Sequence, residues 1–340
     1  MTFADLKKVD IVRFPTPLDP MPALSARLCV TNLHIKRDDL AGPALSGNKI
    51  RKIEYYVREA LDLGYTTVLT HGAAQSNHAR LTAAAAAKCG LKSVLLLKGD
   101  RPLALSGNLL LNRLLGSEMR FYGREDSLEA TITTAVTQCR ARGEKVYVIP
   151  LATAKGLGVA GYMHIAAELA EQVKELPQPP KDIVCAVGSL GTFAGLWLGI
   201  RHYGAPFRVT GISVNPATMP SLAKAAALVN EASCDLGLGI RCEPGELDIV
   251  FHTPETPYAC VDNAGPVWEH IRLLAETEAV FLDPGYTGKA FYGFVDLLGK
   301  GRFADGAIFY HSGGTPGLFA AEHVAAANAA LWTEEEATMQ

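Results

Sequence analysis

Cysteine is sparse in this chain of 340 residues, and its placement excludes more than its number does. The seven cysteines are Cys29, Cys89, Cys139, Cys185, Cys234, Cys242 and Cys260, an odd count with no two at C-x-x-C spacing. That pattern disfavours a disulfide frame and a zinc site, and suits reduced thiols in a cytoplasmic protein. Long apolar runs are also missing. Nothing approaches the roughly 20 residues that cross a bilayer. The opening Met-Thr-Phe-Ala-Asp-Leu-Lys-Lys lacks the apolar centre of a secretion signal. There is no basic block: 32 Lys and Arg are interspersed with 35 Asp and Glu, for a net charge of −3. No stripe of charge can track phosphates, so nucleic acid is not an expected partner. A Gly-x-Gly-x-x-Gly after the first strand and a Walker lysine are absent too.

What is present is a globular balance, 49% hydrophobic and 20% charged residues, at a length for one large or two ordinary domains. Short β-branched or leucine-rich runs at 66–70, 93–97, 145–149, 182–187, 208–214, 279–282 and 307–310 read as strands. Amphipathic runs at 50–63, 77–89, 107–115, 127–142, 159–174, 192–203, 266–276 and 288–299 read as helices. Such alternation predicts βαβ units and parallel sheets covered by helices. The prolines of Glu175-Leu-Pro-Gln-Pro-Pro-Lys181 end one helix and mark entry into a second sheet. The acidic tail 333–340 carries no assigned role.

Three segments carry chemistry. In Ser46-Gly-Asn-Lys-Ile-Arg-Lys52, Lys49 stands at a helix start, where the partial positive charge disfavours another cation. An amine held there can have the lowered pKa that a Schiff base requires; the alternative is a solvated basic turn on a capped helix. Gly188-Ser-Leu-Gly-Thr-Phe-Ala-Gly195 follows a strand and opens a helix. Its glycines let successive N–H groups converge on one anion, with the Ser189 and Thr192 hydroxyls as further donors, so a phosphate is the natural guest. A plain strand-to-helix turn is the other reading. In Gln75-Ser-Asn-His78, Ser76 is a good N-cap, and the same helix start offers N–H groups to a carboxylate.

Taken in order, six motifs resemble the pyridoxal-phosphate enzymes of the tryptophan-synthase-β type. They are Lys36-Arg-Asp-Asp39, Ser46 to Lys52, Gln75 to His78, Gly188 to Thr192, Asp283-Pro-Gly-Tyr-Thr-Gly-Lys289 and His311-Ser-Gly-Gly314. Among those enzymes they are similar to the D-cysteine desulfhydrase and 1-aminocyclopropane-1-carboxylate deaminase family, from about Phe14 to about Phe319. The resemblance implies an α/β fold of two open, mainly parallel sheets flanked by helices, with the cofactor between two domains. One would be 1–47 plus 161–340 and the other an inserted 48–160. It also implies a homodimer. Lys49 would carry pyridoxal phosphate. Gly188, Ser189, Leu190, Gly191 and Thr192 would hold the phosphate, and Asn77, Thr287 and Ser312 would meet the ring. Ser76, Asn77, His78, Tyr258 and Tyr286 would face a small amino-acid substrate, with Lys49, Ser76, Tyr286 and Tyr258 catalytic. No metal is implied.

The departures narrow the chemistry. Members that open the cyclopropane ring have a glutamate where Thr287 stands, and Ser312 offers no carboxylate either. A ring nitrogen facing hydroxyls stays neutral and is a weaker electron sink, which suits β-elimination. Both hydroxyls could instead cap neighbouring turns. D-cysteine, yielding pyruvate, sulfide and ammonia, is the expected substrate. L-cysteate, the cyclopropane amino acid and a non-catalytic cofactor carrier are the alternatives. Leu190 and Gly72-Ala-Ala74 also depart from the family pattern, as does Leu151-Ala-Thr-Ala-Lys155. Lys155 either meets a second anionic group on the substrate or is solvated. Cys260 stands two residues after Tyr258.

Overall fold

The alternation of strand and helix patterns produces an α/β protein with two separate sheets. The computed structural model describes residues 2–151, 156–215, 221–250 and 265–331. The first part of the chain forms β1 (Leu18–Pro20), α1 (Pro22–Leu28), β2 (Leu33–Arg37) and α2 (Lys49–Asp62). Then come β3 (Thr67–Ala73), α3 (Asn77–Lys88), β4 (Lys92–Lys98), α4 (Gly107–Leu114), β5 (Glu118–Tyr122), α5 (Leu128–Ala141) and β6 (Val146–Val148). The remainder forms α6 (Gly156–Gln172), β7 (Asp182–Val187), α7 (Gly191–His202), β8 (Arg208–Ser213), α8 (Leu222–Asp235), β9 (Asp248–Val250), α9 (Pro266–Glu278), α10 (Thr287–Gly299), β10 (Ala307–His311) and α11 (Ala321–Leu331). No helix of the described residues is long and apolar enough to cross a membrane.

The larger sheet has the order β1-β2-β10-β7-β8-β9, parallel except for β1. The smaller, β5-β4-β3-β6, is wholly parallel. β7 is buried along its whole length, as a parallel strand covered on both faces must be. On one face Ile183 and Cys185 pack against α6 and α7 through Ile165, Leu169, Phe193 and Trp197. On the other, Val184 and Ala186 meet Phe291 and Phe294 of α10. α6 lies between α2 and α7 at very short range. A methyl group on Gly161 would overlap the Arg51 carbonyl, and one on Gly195 would overlap Tyr162.

The run 279–282 is not a strand. Both flanks of β10 are already paired with β2 and β7, and the Phe281 carbonyl bonds the His311 ring at 3.1 Å instead. Four strands were not legible, β1, β2, β5 and β9, as were the helices α1, α8 and α11. β2 carries His34 and Lys36, both buried by partners distant in sequence, so it lacks an apolar signature. β5 is an edge strand with every residue half-buried, which blurs the alternation.

Candidate active site

A cavity of about 330 Å³ opens where the C-terminal ends of β3, β7, β8 and β10 converge. That is the usual ligand position in open parallel sheets. Its walls include Lys49, Ser76, Asn77, His78, Gly188, Ser189, Tyr286 and Ser312, all expected from sequence. Two segments distant in the chain join at its edge. Gly47 and Gly313 form an antiparallel bridge, and the Asn48 N–H donates to the Ser312 carbonyl at 2.9 Å. A Cβ on Gly47 would lie 3.0 Å from that carbonyl oxygen, so glycine is needed at this crossing.

Lys49 is the first residue of α2. Its Nζ donates to Asn48 Oδ1 at 3.2 Å and lies 5.8 and 5.9 Å from the ring centroids of Tyr162 and Tyr286. Burial alone draws this amine down to about 8. One turn on, Lys52 is buried and donates to the Leu151 carbonyl at 2.8 Å. Its amine is drawn down to about 7, by burial first and then by Lys49. Among the described residues, no acidic side chain lines the cavity.

Ser76 caps α3, its Oγ accepting from the Ala79 N–H at 3.2 Å. Asn77 Oδ1 accepts from Asn108 Nδ2 at 3.0 Å and from Arg80 at 3.3 Å. With the carbonyl oxygen so occupied, the NH₂ group is the part of the amide left for a guest. The Thr70 hydroxyl donates to the Ile149 carbonyl at 2.8 Å, so it accepts from His78 Nε2 at 3.0 Å. That fixes the tautomer: Nδ1 of His78 is bare and buried, with no partner among the described residues. Burial first, then Lys52 and Lys49, hold this ring far below the usual histidine pKa, so it is neutral.

The turn after β7 has one non-glycine residue in the left-handed region, Leu190 with φ 63°. That conformation costs about 1–2 kcal/mol. The Leu190 side chain is buried in the main core, which offsets the cost and anchors the turn. Gly188 and Ser189 line the cavity, and the turn continues through Leu190 to Gly191 and Thr192, the first residues of α7. Thr192 Oγ1 accepts from Asn48 Nδ2 at 2.9 Å, tying this turn to the residue beside Lys49.

Tyr286 donates its hydroxyl to the Ala186 carbonyl at 3.3 Å. Of the two hydroxyls expected at a ring nitrogen, Ser312 is on the cavity wall and Thr287 is not. Thr287 is fully buried, and both its N–H and its hydroxyl donate to Asp283 Oδ1, at 3.0 and 2.7 Å. It thus takes the capping role that the sequence left open. Tyr258, Lys155 and Cys260 lie outside the described residues. Sequence reasoning missed Tyr162 beneath Lys49, Asn215 on the wall, and Asn108 and Arg80 behind Asn77. One signal was available: an arginine inside the alanine-rich Asn77–Lys88.

These residues fit pyridoxal phosphate. A half-buried amine of lowered pKa, a glycine turn at a helix start and a wall without acids among the described residues suit an anionic aldehyde.

Residues 9–313 match the family described as pyridoxal-phosphate dependent enzyme. A Pyrococcus abyssi protein provisionally named 1-aminocyclopropane-1-carboxylate deaminase is 39% identical, covering 92% of this chain and 93% of that one. A Salmonella schwarzengrund protein named D-cysteine desulfhydrase is 37% identical, covering 92% and 95%. A crystal structure described as an ACC deaminase homologue is 36% identical with a TM-score of 0.82, covering 93% and 94%. The chain therefore belongs to the pyridoxal-phosphate dependent enzymes, in the group of 1-aminocyclopropane-1-carboxylate deaminases and D-cysteine desulfhydrases, and pyridoxal phosphate is its cofactor.

Proposed function

We propose that this lyase removes a β-substituent and the amino group from a small amino acid, with D-cysteine giving pyruvate, sulfide and ammonia. Pyridoxal phosphate supplies the electron sink that makes the α-proton of an amino acid removable. The chain supplies the rest. Lys49 would hold the cofactor, and its Nζ is the base that accepts the α-proton of the substrate. Gly188, Ser189 and Thr192 hold the phosphate. The N–H groups of Asn77 and His78 at the start of α3, with the Asn77 amide, receive the substrate carboxylate. The Ser76 hydroxyl is a second proton carrier beside them. The Tyr286 phenol, turning from its long 3.3 Å bond to the Ala186 carbonyl, donates to the departing sulfur. The observation that carries the reading is the cavity wall, which among the described residues has no acid, with Ser312 as its hydroxyl and Thr287 turned to Asp283. A serine hydroxyl leaves the ring nitrogen unprotonated, which favours elimination over ring opening.

The reading includes a cytoplasmic homodimer, Tyr258 on the substrate side, and the division into 1–47 plus 161–340 with 48–160 inserted. Ring opening of the cyclopropane amino acid is the second reading, favoured by the provisional name of the 39% identical relative. The holoenzyme should release pyruvate and sulfide from D-cysteine and little keto acid from 1-aminocyclopropane-1-carboxylate. Efficient deamination of the cyclopropane acid, with no elimination from D-cysteine or L-cysteate, would overturn the substrate and the electronic argument together.

A further inference from the structure

Arg80 sits in the second turn of α3, fully buried among alanines. Its guanidinium donates to the carbonyls of Ala44, Leu45 (2.9 Å) and Ser46 (3.4 Å) and to Asn77 Oδ1 (3.3 Å). Every one of these acceptors is neutral. Among the described residues its Nε has no partner and no carboxylate pairs with it. Asp283, across Gly314 from Asn77, is occupied by the N–H groups of Tyr286 and Thr287 at the start of α10. A buried arginine ordinarily has a counter-charge, because desolvating a lone cation is costly.

Two further observations show that this arrangement is built. Ala44 and Leu45 both adopt the left-handed conformation, with φ of 55° and 53°. That strain turns three successive carbonyls onto one guanidinium. The same loop runs directly into Gly47, Asn48 and Lys49, while Asn77 begins α3. Arg80 therefore joins the segment that carries the amine to the helix end that receives a carboxylate. Burial with no compensating acid draws even this guanidinium down to about 9.

We propose that Arg80 is a positioning residue for the substrate: its buried charge is compensated by the carboxylate of the bound amino acid, and it aims the Asn77 amide at that carboxylate. The inference rests on the reading of α3 as the carboxylate site. It assigns recognition of the carboxylate to a side chain that does not touch the substrate, acting through Asn77 and through its field.

The test uses the holoenzyme and two amines that cannot undergo elimination. D-alanine carries a carboxylate and ethylamine does not. The visible absorbance change as each displaces Lys49 gives an apparent Kd. In R80M the Kd for D-alanine should rise roughly 10–100-fold, the value of a charge-assisted contact, while that for ethylamine should stay within about threefold of wild type. R80K keeps the charge, so its preference for D-alanine over ethylamine should persist, and this variant decides the matter if R80M does not fold. Equal weakening for both amines would reduce Arg80 to scaffolding and overturn the proposal, as would an unchanged Kd for D-alanine. Loss of the preference in a folded R80K would also overturn it. A wild-type holoenzyme that responds to neither amine would bring down the reading of Lys49, and this inference with it.

Discussion

Arg51 and Arg80 are both fully buried guanidinium groups, and they are built in opposite ways. Arg51, two residues after Lys49, grips Asp38 with two nitrogens at 2.6 and 2.7 Å and Glu168 at 2.6 Å. Lys36 joins from β2, reaching Glu168 at 2.7 Å, and the Tyr310 hydroxyl reaches Asp38. Two cations meet two anions, and four segments of chain are fastened together. Asp38 is held below its usual pKa by Arg51, against the pull of burial. By contrast Lys49 and Lys52 of α2, and Arg80 of α3, meet only neutral acceptors among the described residues. The balanced set holds structure. The unbalanced set waits for a guest that brings negative charge, and the phosphate and carboxylates of the proposed reaction are such guests.

The sharpest way to break this contrast is to remove one cation from each set. Lys49→Ala should lower turnover by about 10²–10⁴-fold from proton transfer alone, yet leave the apoprotein at least as stable as wild type. Borohydride reduction followed by peptide mapping should then find no label, whereas wild type should be labelled at Lys49 and nowhere else. Arg51→Met should do the reverse to the fold. It strands Asp38 and should cost about 3–5 kcal/mol, read from urea midpoints of the apoprotein. If Lys49→Ala destabilises as much as Arg51→Met, the distinction is false.

Thr192→Ala tests the cofactor end at smaller scale. Loss of one hydroxyl to the phosphate should weaken cofactor binding by roughly 10–100-fold in apoprotein titrations. Unchanged affinity would remove this turn from the phosphate site.

The smallest effect is on the pH dependence of stability. In the folded apoprotein Lys52 and Lys49 lose their protons near 7 and 8, whereas in the unfolded chain they keep them to about 10.5. Between those values the unfolded state binds more protons, so stability should rise with pH from about 7 to about 9. Denaturation curves across that range should show the rise in wild type and a shallower one in Lys49→Ala. Identical slopes would count against a buried, uncompensated Lys49.

Much of this was legible in the sequence, for physical reasons. β7 could be read to the residue because a parallel strand buried on both faces is continuously apolar. Lys49 and the glycine turn could be read because helix starts announce themselves by capping residues and glycine. Arg80 and Asn108 could not be assigned roles, because most of their partners, such as Leu45 and Gln75, lie about 30 or more residues away and the pairing exists only after folding. The segment 279–282 reads as a strand from its composition, but pairing depends on a free neighbour, and composition does not report that. Thr287 was read as one of two residues at the ring because it stands where members of the resembled family that open the cyclopropane ring have a glutamate. Its hydroxyl is turned to Asp283, four residues back, by the start of α10.

The bridge between Gly47 and Gly313 has a consequence for the order in which the protein is made. At roughly 5–20 residues per second, the ribosome needs on the order of tens of seconds between Lys49 and the segment that walls in its amine. β2 must likewise wait for β10, its parallel neighbour, which is among the last strands translated. A nascent chain halted before about residue 313 carries the lysine without its pocket. Cofactor capture is therefore a late event, and a truncated product should emerge from translation unable to sequester the aldehyde.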